Sequence, residues 1–206
     1  MITIITPAAT HDMTVLATVK TRLGITTTAD DDLLASLITA YSGVAEDYTN
    51  RVFAEETVEE TFRFARFALR PSELWLERYP VTEIVSATDG DTTLTSDDYE
   101  LDGDKGKLLR LNGNDIPWFW TGPKVVIRYT AGYALLDSLP FGIEEAVIEM
   151  VKATYLARNR DPMLKSQQVI DVGTEQYWVG GVPGQDGGLP DTIRDKLDKH
   201  RRVSVG

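Results

Sequence analysis

The run KVVIRYTAGY, Lys124–Tyr133, constrains this chain more than any other segment. Val125, Ile127 and Tyr129 alternate with more polar neighbours, so the spacing predicts a strand with one buried face that stops at Gly132. Pro140 then opens a stretch of helical period, with Ile143, Ala146, Val147, Met150, Val151 and Thr154 on one side. The predicted helix runs from about Pro140 to Asn159 and ends before Asp161 and Pro162, with Glu144, Glu145 and Glu149 on its wet face.

The segments before this junction change period once. Val15, Leu16, Val19 and Leu23 form the stripe of a first helix, capped at Thr10 or Asp12 and closed by Gly24. A second helix starts near Asp30 to Asp32, whose carboxylates suit a helix N-terminus. Its stripe is Leu33, Leu34, Leu37, Ile38, Tyr41, Val44, Ala45 and Tyr48, and Gly43 is a place for close packing. From Thr57 to Thr130 the pattern alternates. Phe62, Phe64 and Phe67 read as one strand, with Arg63 and Arg66 on its other face, and Leu74 and Leu76 as another around Trp75. Asp89-Gly90 marks a hairpin between strands over 83–88 and 92–95. Strands are also expected over 98–102, 107–111 and 124–130, with a loop over 112–115.

Residues 163–188 are rich in glycine and weakly patterned, with a short strand possible over 176–179. A last helix spans about 189–201. The expected class is α+β: a mostly helical core of about four helices, an inserted small antiparallel sheet or barrel, and a flexible C-terminal arm ending in a helix. The expected limits are 1–56 and 134–162 for the helical core, 57–133 for the β-rich insertion, 163–188 for the arm and 189–206 for the terminal helix.

Composition narrows the function. The chain has 206 residues, which fits one domain or one domain with an insertion. It contains no cysteine, which excludes disulfides and thiolate chemistry. It has no apolar run long enough for a transmembrane helix, and its first residues, MITII, make a poor signal peptide. The net charge of −11 argues against non-specific wrapping of phosphate backbones. That charge is uneven. Val81 to Asp104 carries Glu83, Asp89, Asp91, Asp97, Asp98, Glu100, Asp102 and Asp104 and no base, whereas Arg194, Lys196, Lys199, Arg201 and Arg202 crowd the C-terminus.

No catalytic, cofactor-binding or metal-binding constellation is expected. His11 and His200 lie in polar segments without a base–orienter pattern. The acids of 97–104 miss the register of a calcium loop and read as a solvated hairpin. The glycines of 180–184 lack the lysine and hydroxyl residue of a phosphate loop. Arg63, Arg66 and Arg70 are expected to bridge to the acidic excess. Trp118, Phe119 and Trp120 read either as a corner of the sheet core or as an exposed anchor for a neighbouring subunit.

Several segments in order carry a family resemblance: Thr14–Gly24, then DDDLLASLI at 30–38 leading to AEDYTNR at 45–51, RYPVTEIV at 78–85, SDDYEL at 96–101, VVIRYTAGY at 125–133, and the Pro140 helix ending in YLARNR at 155–160. The finish, from Leu189 and Pro190 through Arg201, Arg202 and Val203, belongs to the same set. In this order the chain resembles the head–tail connector (adaptor) family of tailed phages and gene transfer agents. The resemblance implies a structural virion protein without enzymatic activity, made in the host bacterial cytoplasm and located at the head–tail junction. It implies a ring of about twelve copies, which needs two different patches per subunit. The implied partners are the portal ring, other copies of the chain, a tail-side stopper or tail terminator protein, and double-stranded DNA passing through the channel without specific binding. No cofactor and no membrane are implied.

Carried onto this sequence, portal docking falls on Leu189, Ile193, Arg194, Leu197, Arg201, Arg202 and Val203. Trp118, Phe119 and Trp120 are candidates for the subunit interface, the second and third helices and the sheet insert for further contacts. Asp97, Asp98, Glu100, Asp102 and Asp104 are candidates for channel-lining acids, as is the face of Glu144, Glu145 and Glu149. The middle from about Thr57 to Asp115 and the loop over 163–188 are longer than a minimal connector requires. A tail-completion or tail-terminator ring protein is the alternative reading. A small metal-dependent enzyme built on the acidic hairpins and a bacterial binding module stand further off.

Overall fold

The computed structural model describes residues 1–65, 69–135, 138–158 and 189–202, and the backbone alone of 166–169 and 173–176. The order of elements is β1 (Ile2–Thr6), α1 (Leu16–Leu23), α2 (Asp31–Thr49), β2 (Glu56–Arg63), β3 (Glu73–Trp75), β4 (Val81–Asp89), β5 (Thr92–Leu94), β6 (Tyr99–Asp102), β7 (Lys107–Arg110), β8 (Lys124–Ala131), α3 (Phe141–Ala157), β9 (Ser166–Val169), β10 (Gly173–Gln176) and α4 (Asp191–Asp198). The class is α+β, with four α-helices and antiparallel sheets among the described residues. The chain divides into two compact units. One joins Met1–Thr10 to Val52–Asp137, and the other joins His11–Arg51 to the chain from Ser138 onward.

The β unit is built around β8. The five-stranded sheet has the order β1-β2-β8-β4-β5 and the three-stranded sheet the order β3-β7-β6, all antiparallel. Val125, Ile127 and Tyr129 face the core together and are fully buried, as their alternation requires. Val58 from β2 and Leu74 and Leu108 from the second sheet complete that core. Two register shifts in β4, between Val81 and Glu83 and between Ile84 and Ser86, bend it along β8. Gly132 ends β8 at φ 116°, where a Cβ would lie 2.3 Å from the Ala54 carbonyl oxygen. Only glycine fits that position.

The sequence placed the first residues with the helices, but β1 pairs with β2 from Ile2↔Glu60 to Thr6↔Thr57 and belongs to the β unit. Nothing in MITIIT marks a partner, and the strand is fixed only by pairing across more than fifty residues. β2 also begins at Glu56 and ends at Arg63, so Phe64 lies past its end; Arg66 and Phe67 lie outside the described residues.

The helical unit packs α1, α2, α3 and α4 around Val19, Leu34, Ile38, Ile143, Val147 and Leu197. Gly24 closes α1 in the left-handed conformation its place in the sequence predicts (φ 69°). The start of α1 differs from the expectation. Val15 precedes the first turn and no side chain caps it. Residues ahead of it are held by tertiary bonds instead: the Met13 N–H donates to Ser42 Oγ (3.0 Å), and Thr14 Oγ1 donates to Glu144 (3.0 Å).

α2 buries Leu34, Ile38, Ser42, Ala45 and Thr49, while Leu33 and Val44 are exposed. The buried stripe is therefore rotated from the one predicted. Gly43 packs against nothing, since a Cβ there would meet no atom within 4 Å. α3 buries Ile143, Ala146, Val147, Met150 and Val151, as predicted, and Ile148 and Tyr155 besides, while Thr154, also expected on that face, is half-buried.

Candidate docking surfaces

The three aromatic residues of 118–120 separate. Trp120 is fully buried in the β core, so it is no interface anchor. Its backbone N–H donates to the Pro71 carbonyl (3.0 Å), which turns the ring inward beneath Arg110. Trp118 and Phe119 stand on the surface, 48% and 56% exposed, with ring centroids 6.3 Å apart. Ile116 beside them is also exposed. The Trp118 N–H donates to the Arg110 carbonyl (2.8 Å), and the Asn112 side chain accepts from the N–H groups of Asn114 and Ile116 (3.0 and 3.1 Å). The loop is thus held rigidly while its aromatic tip faces out.

The acidic run divides in the same way. Asp97, Glu100 and Asp104 are exposed. Asp98 is half-buried; hydrogen bonds from the Thr95 N–H (2.8 Å) and hydroxyl (2.9 Å) hold its carboxyl below the usual range, with Arg110 adding to the effect. Asp102 is held low by its hydrogen bond from Lys105 (2.8 Å). Asp89 is buried. Its carboxylate accepts from the Gly122 N–H (2.6 Å), the Thr121 N–H (2.9 Å) and the Thr121 hydroxyl (2.9 Å), with Arg110 Nε 3.8 Å away. Sequence reasoning saw Asp89 as part of a hairpin turn and of the acidic run, and missed this buried node. Its partners, Thr121 and Gly122, lie more than thirty residues away, and no local pattern marks them.

Glu144, Glu145 and Glu149 do not form a free wet face. Glu144 accepts from Thr14, Glu145 pairs with Arg22 (3.1 Å) and Glu149 pairs with Lys196 (2.7 Å). All three hold helices of their own unit together. Of the predicted arginine stripe, Arg70 donates to the Gly122 carbonyl (3.1 Å) and stacks over Phe64 rather than bridging to an acid.

The terminal helix α4 lies against α2 and α3. Ile193 and Leu197 are buried, and the Arg202 N–H donates to the Thr49 carbonyl (2.8 Å). Tyr48 donates to Asp198 (2.8 Å), and Arg201 stacks over the Tyr48 ring. Leu189 and Arg194 are half-buried, Arg194 pairing with Asp191. Val203 and the arm over 163–188, apart from the backbone of β9 and β10, lie outside the described residues; of the strand expected over 176–179, Gln176 ends β10 and 177–179 lie outside them. His11 hydrogen-bonds Glu46 (3.2 Å). His200 is kept below its ordinary pKa by burial and by nearby Arg51 and Lys199.

No described cluster of histidine and carboxylate side chains has the arrangement of a metal site. No described helix is long and apolar enough to cross a membrane. These surfaces offer an aromatic tip, a docked terminal helix and a divided set of acids.

Residues 13–100 match the model of the phage gp6-like head-tail connector protein family. No curated protein matches it. Among solved structures it has the fold of a chain in the neck of an empty gene transfer agent particle computed with C6 symmetry, at TM-score 0.60 and 20% identity, covering 100% of this chain and 98% of that one. A chain from the neck of the native particle computed with C12 symmetry matches at TM-score 0.58 and 18% identity, with the same coverage. A chain from the virion of the native particle matches at 0.59 and 19%, again over 100% and 98%.

Proposed function

We propose that this chain is a structural head–tail connector: copies form a ring below the portal, and the ring joins the DNA-filled head to the tail and continues the DNA channel. The observation that carries the reading is the coincidence of a connector-family match over 13–100 with a neck-protein fold over the whole chain. The C12 symmetry of one such neck supports a ring of about twelve copies.

Trp118 and Phe119 supply one subunit contact in this reading, since large aromatic side chains that stay exposed on a rigid loop are the usual anchors of interfaces. Portal docking falls to the segment from Leu189 onward. With Ile193 and Leu197 buried, docking uses the outward side of α4 and the residues after it, Arg201 and Arg202 first. Asp97, Glu100 and Asp104 are the acids left free to face the channel and keep DNA sliding. The opposite face of the ring meets a tail-side stopper or terminator protein.

Binding to a purified portal ring from the same particle tests the reading. The full chain should bind, and a chain ending at Gly188 should not. Equal binding by both would keep the connector and move docking into the body of the protein. No binding by either would favour a tail-completion or tail-terminator ring protein.

A further inference from the structure

The outer edge of β1 is open. Met1 and Thr61 exchange both backbone hydrogen bonds, Met1 N to Thr61 O at 3.1 Å and Thr61 N to Met1 O at 2.8 Å. In an antiparallel pair such residues alternate with ones whose N–H and C=O point away from the partner. Ile2 and Ile4 therefore direct their backbone groups outward, before the register shift that follows Ile4. β1 ends the five-stranded sheet, and no described strand lies beyond it.

Sheet edges are normally protected by shortness, charge or proline. The other edges here follow that rule: β3 and β5 have three residues each, and β6 carries Glu100 and Asp102. β1 does not. Its five residues, ITIIT, are all β-branched and uncharged, and all but Ile2 are exposed. A sequence suited to pairing, left open on one side, is a surface made to be covered.

The molecule also carries the converse feature. β9 and β10 pair only with each other among the described strands, four residues against four. A lone two-stranded hairpin is marginal in water and gains stability by joining a sheet. β9, with the sequence SQQV, has no charge to oppose such pairing. We propose that the β1 edge takes the β9–β10 hairpin of a second copy as added strands, so that each subunit gives an edge to one neighbour and a hairpin to the other. This rests on the ring reading above and deepens it, because an edge-to-hairpin contact is heterologous and generates a closed ring when its rotation closes.

The absence of native cysteine makes disulfide trapping clean. Thr3 turns its backbone bonds to β2, so opposite an added strand it occupies a non-hydrogen-bonded position, with Cα atoms about 4.5 Å apart and within reach of a disulfide. Copies carrying Thr3→Cys are mixed with copies carrying one of Gln167→Cys, Gln168→Cys, Thr174→Cys or Glu175→Cys. The mixtures are oxidised both as concentrated purified protein and in particles. The expected result is a covalent dimer at one register, only when both variants are present. Ile4→Pro, which removes an outward N–H and no bond to β2, should lower the yield about tenfold, the effect of a lost backbone hydrogen bond, with an unchanged melting temperature. Ile4→Lys should act in the same direction should the proline variant not fold.

No dimer at any register in either preparation overturns the proposal, as does a dimer that forms equally when only one of the two variants is present. Dimers in the purified chain alongside particles that lack the chain would uphold the edge pairing and refute the connector reading. A chain present in the neck without any link would do the reverse.

Discussion

The Tyr129 hydroxyl donates a 2.8 Å hydrogen bond to Glu60 on the neighbouring strand, and both side chains are buried in the β core. The same Glu60 oxygen accepts from the Glu77 N–H at 2.9 Å. Burial nevertheless dominates and holds the Glu60 carboxyl above its ordinary pKa. A carboxyl raised on folding binds its proton more tightly in the native state, so its contribution to stability is greatest in acid. That contribution falls as pH rises from the unfolded pKa through the folded one. Glu60→Gln removes the titration while leaving an oxygen to accept both bonds. The melting temperature of the variant relative to the native chain should therefore rise between pH 4 and pH 7, at roughly the carboxylate range. A difference that is flat or falls with pH contradicts the assignment.

Asp89 ties β4 to the loop that precedes β8 through three hydrogen bonds from Thr121 and Gly122. Asp89→Ala leaves those donors and Arg110 without their buried acceptor and should cost about 3 kcal/mol or more of stability. Asp89→Asn keeps acceptor oxygen and shape and should cost less. Chemical denaturation of the two variants decides this, and equal small losses would contradict a structural role for the node.

The elements most legible in the sequence were those whose signals are local. The alternation of Val125, Ile127 and Tyr129, the Asp-Gly turn after β4, the left-handed Gly24 and the face of α3 all follow from spacing and backbone preference. What escaped depended on distant partners. β1 is fixed by pairing to β2, the entry to α1 by Ser42 and Glu144, and the inward turn of Trp120 by Pro71. In the candidate surfaces, the sequence gathered Trp118, Phe119 and Trp120 into one patch and the acids into one run. Folding sorted each set into buried and exposed members. No pattern of residue types distinguishes Trp118 from Trp120; the bonds of the loop to Arg110 in β7 and to Pro71 ahead of β3 do.

Two glycines should respond oppositely to alanine. Gly43 lies inside α2 with no atom near its missing Cβ. Gly43→Ala should stabilise the isolated chain by about 0.5–1 kcal/mol through helix propensity. Gly132→Ala meets the Ala54 carbonyl oxygen at 2.3 Å and a φ of 116°, and should prevent proper closure of the β unit. Thermal melts of both variants check the pair. A Gly43→Ala chain that is stable but fails to assemble would assign that bare side of α2 to a subunit contact.

The aromatic loop separates folding from assembly. Trp120→Ala should lower stability by about 3–5 kcal/mol, as loss of a buried ring does. Trp118→Ala and Phe119→Ala should change it by less than about 0.5 kcal/mol, being surface substitutions. In the connector reading the same two variants should reduce incorporation into particles. Normal incorporation would remove the loop from the interface.

The central claim is that this chain joins head to tail, and electron microscopy of particles produced without it tests that claim most directly. The account predicts heads and tails that remain separate, restored to whole particles when the full chain is supplied. Whole particles with an unaltered neck in the absence of the chain would contradict it.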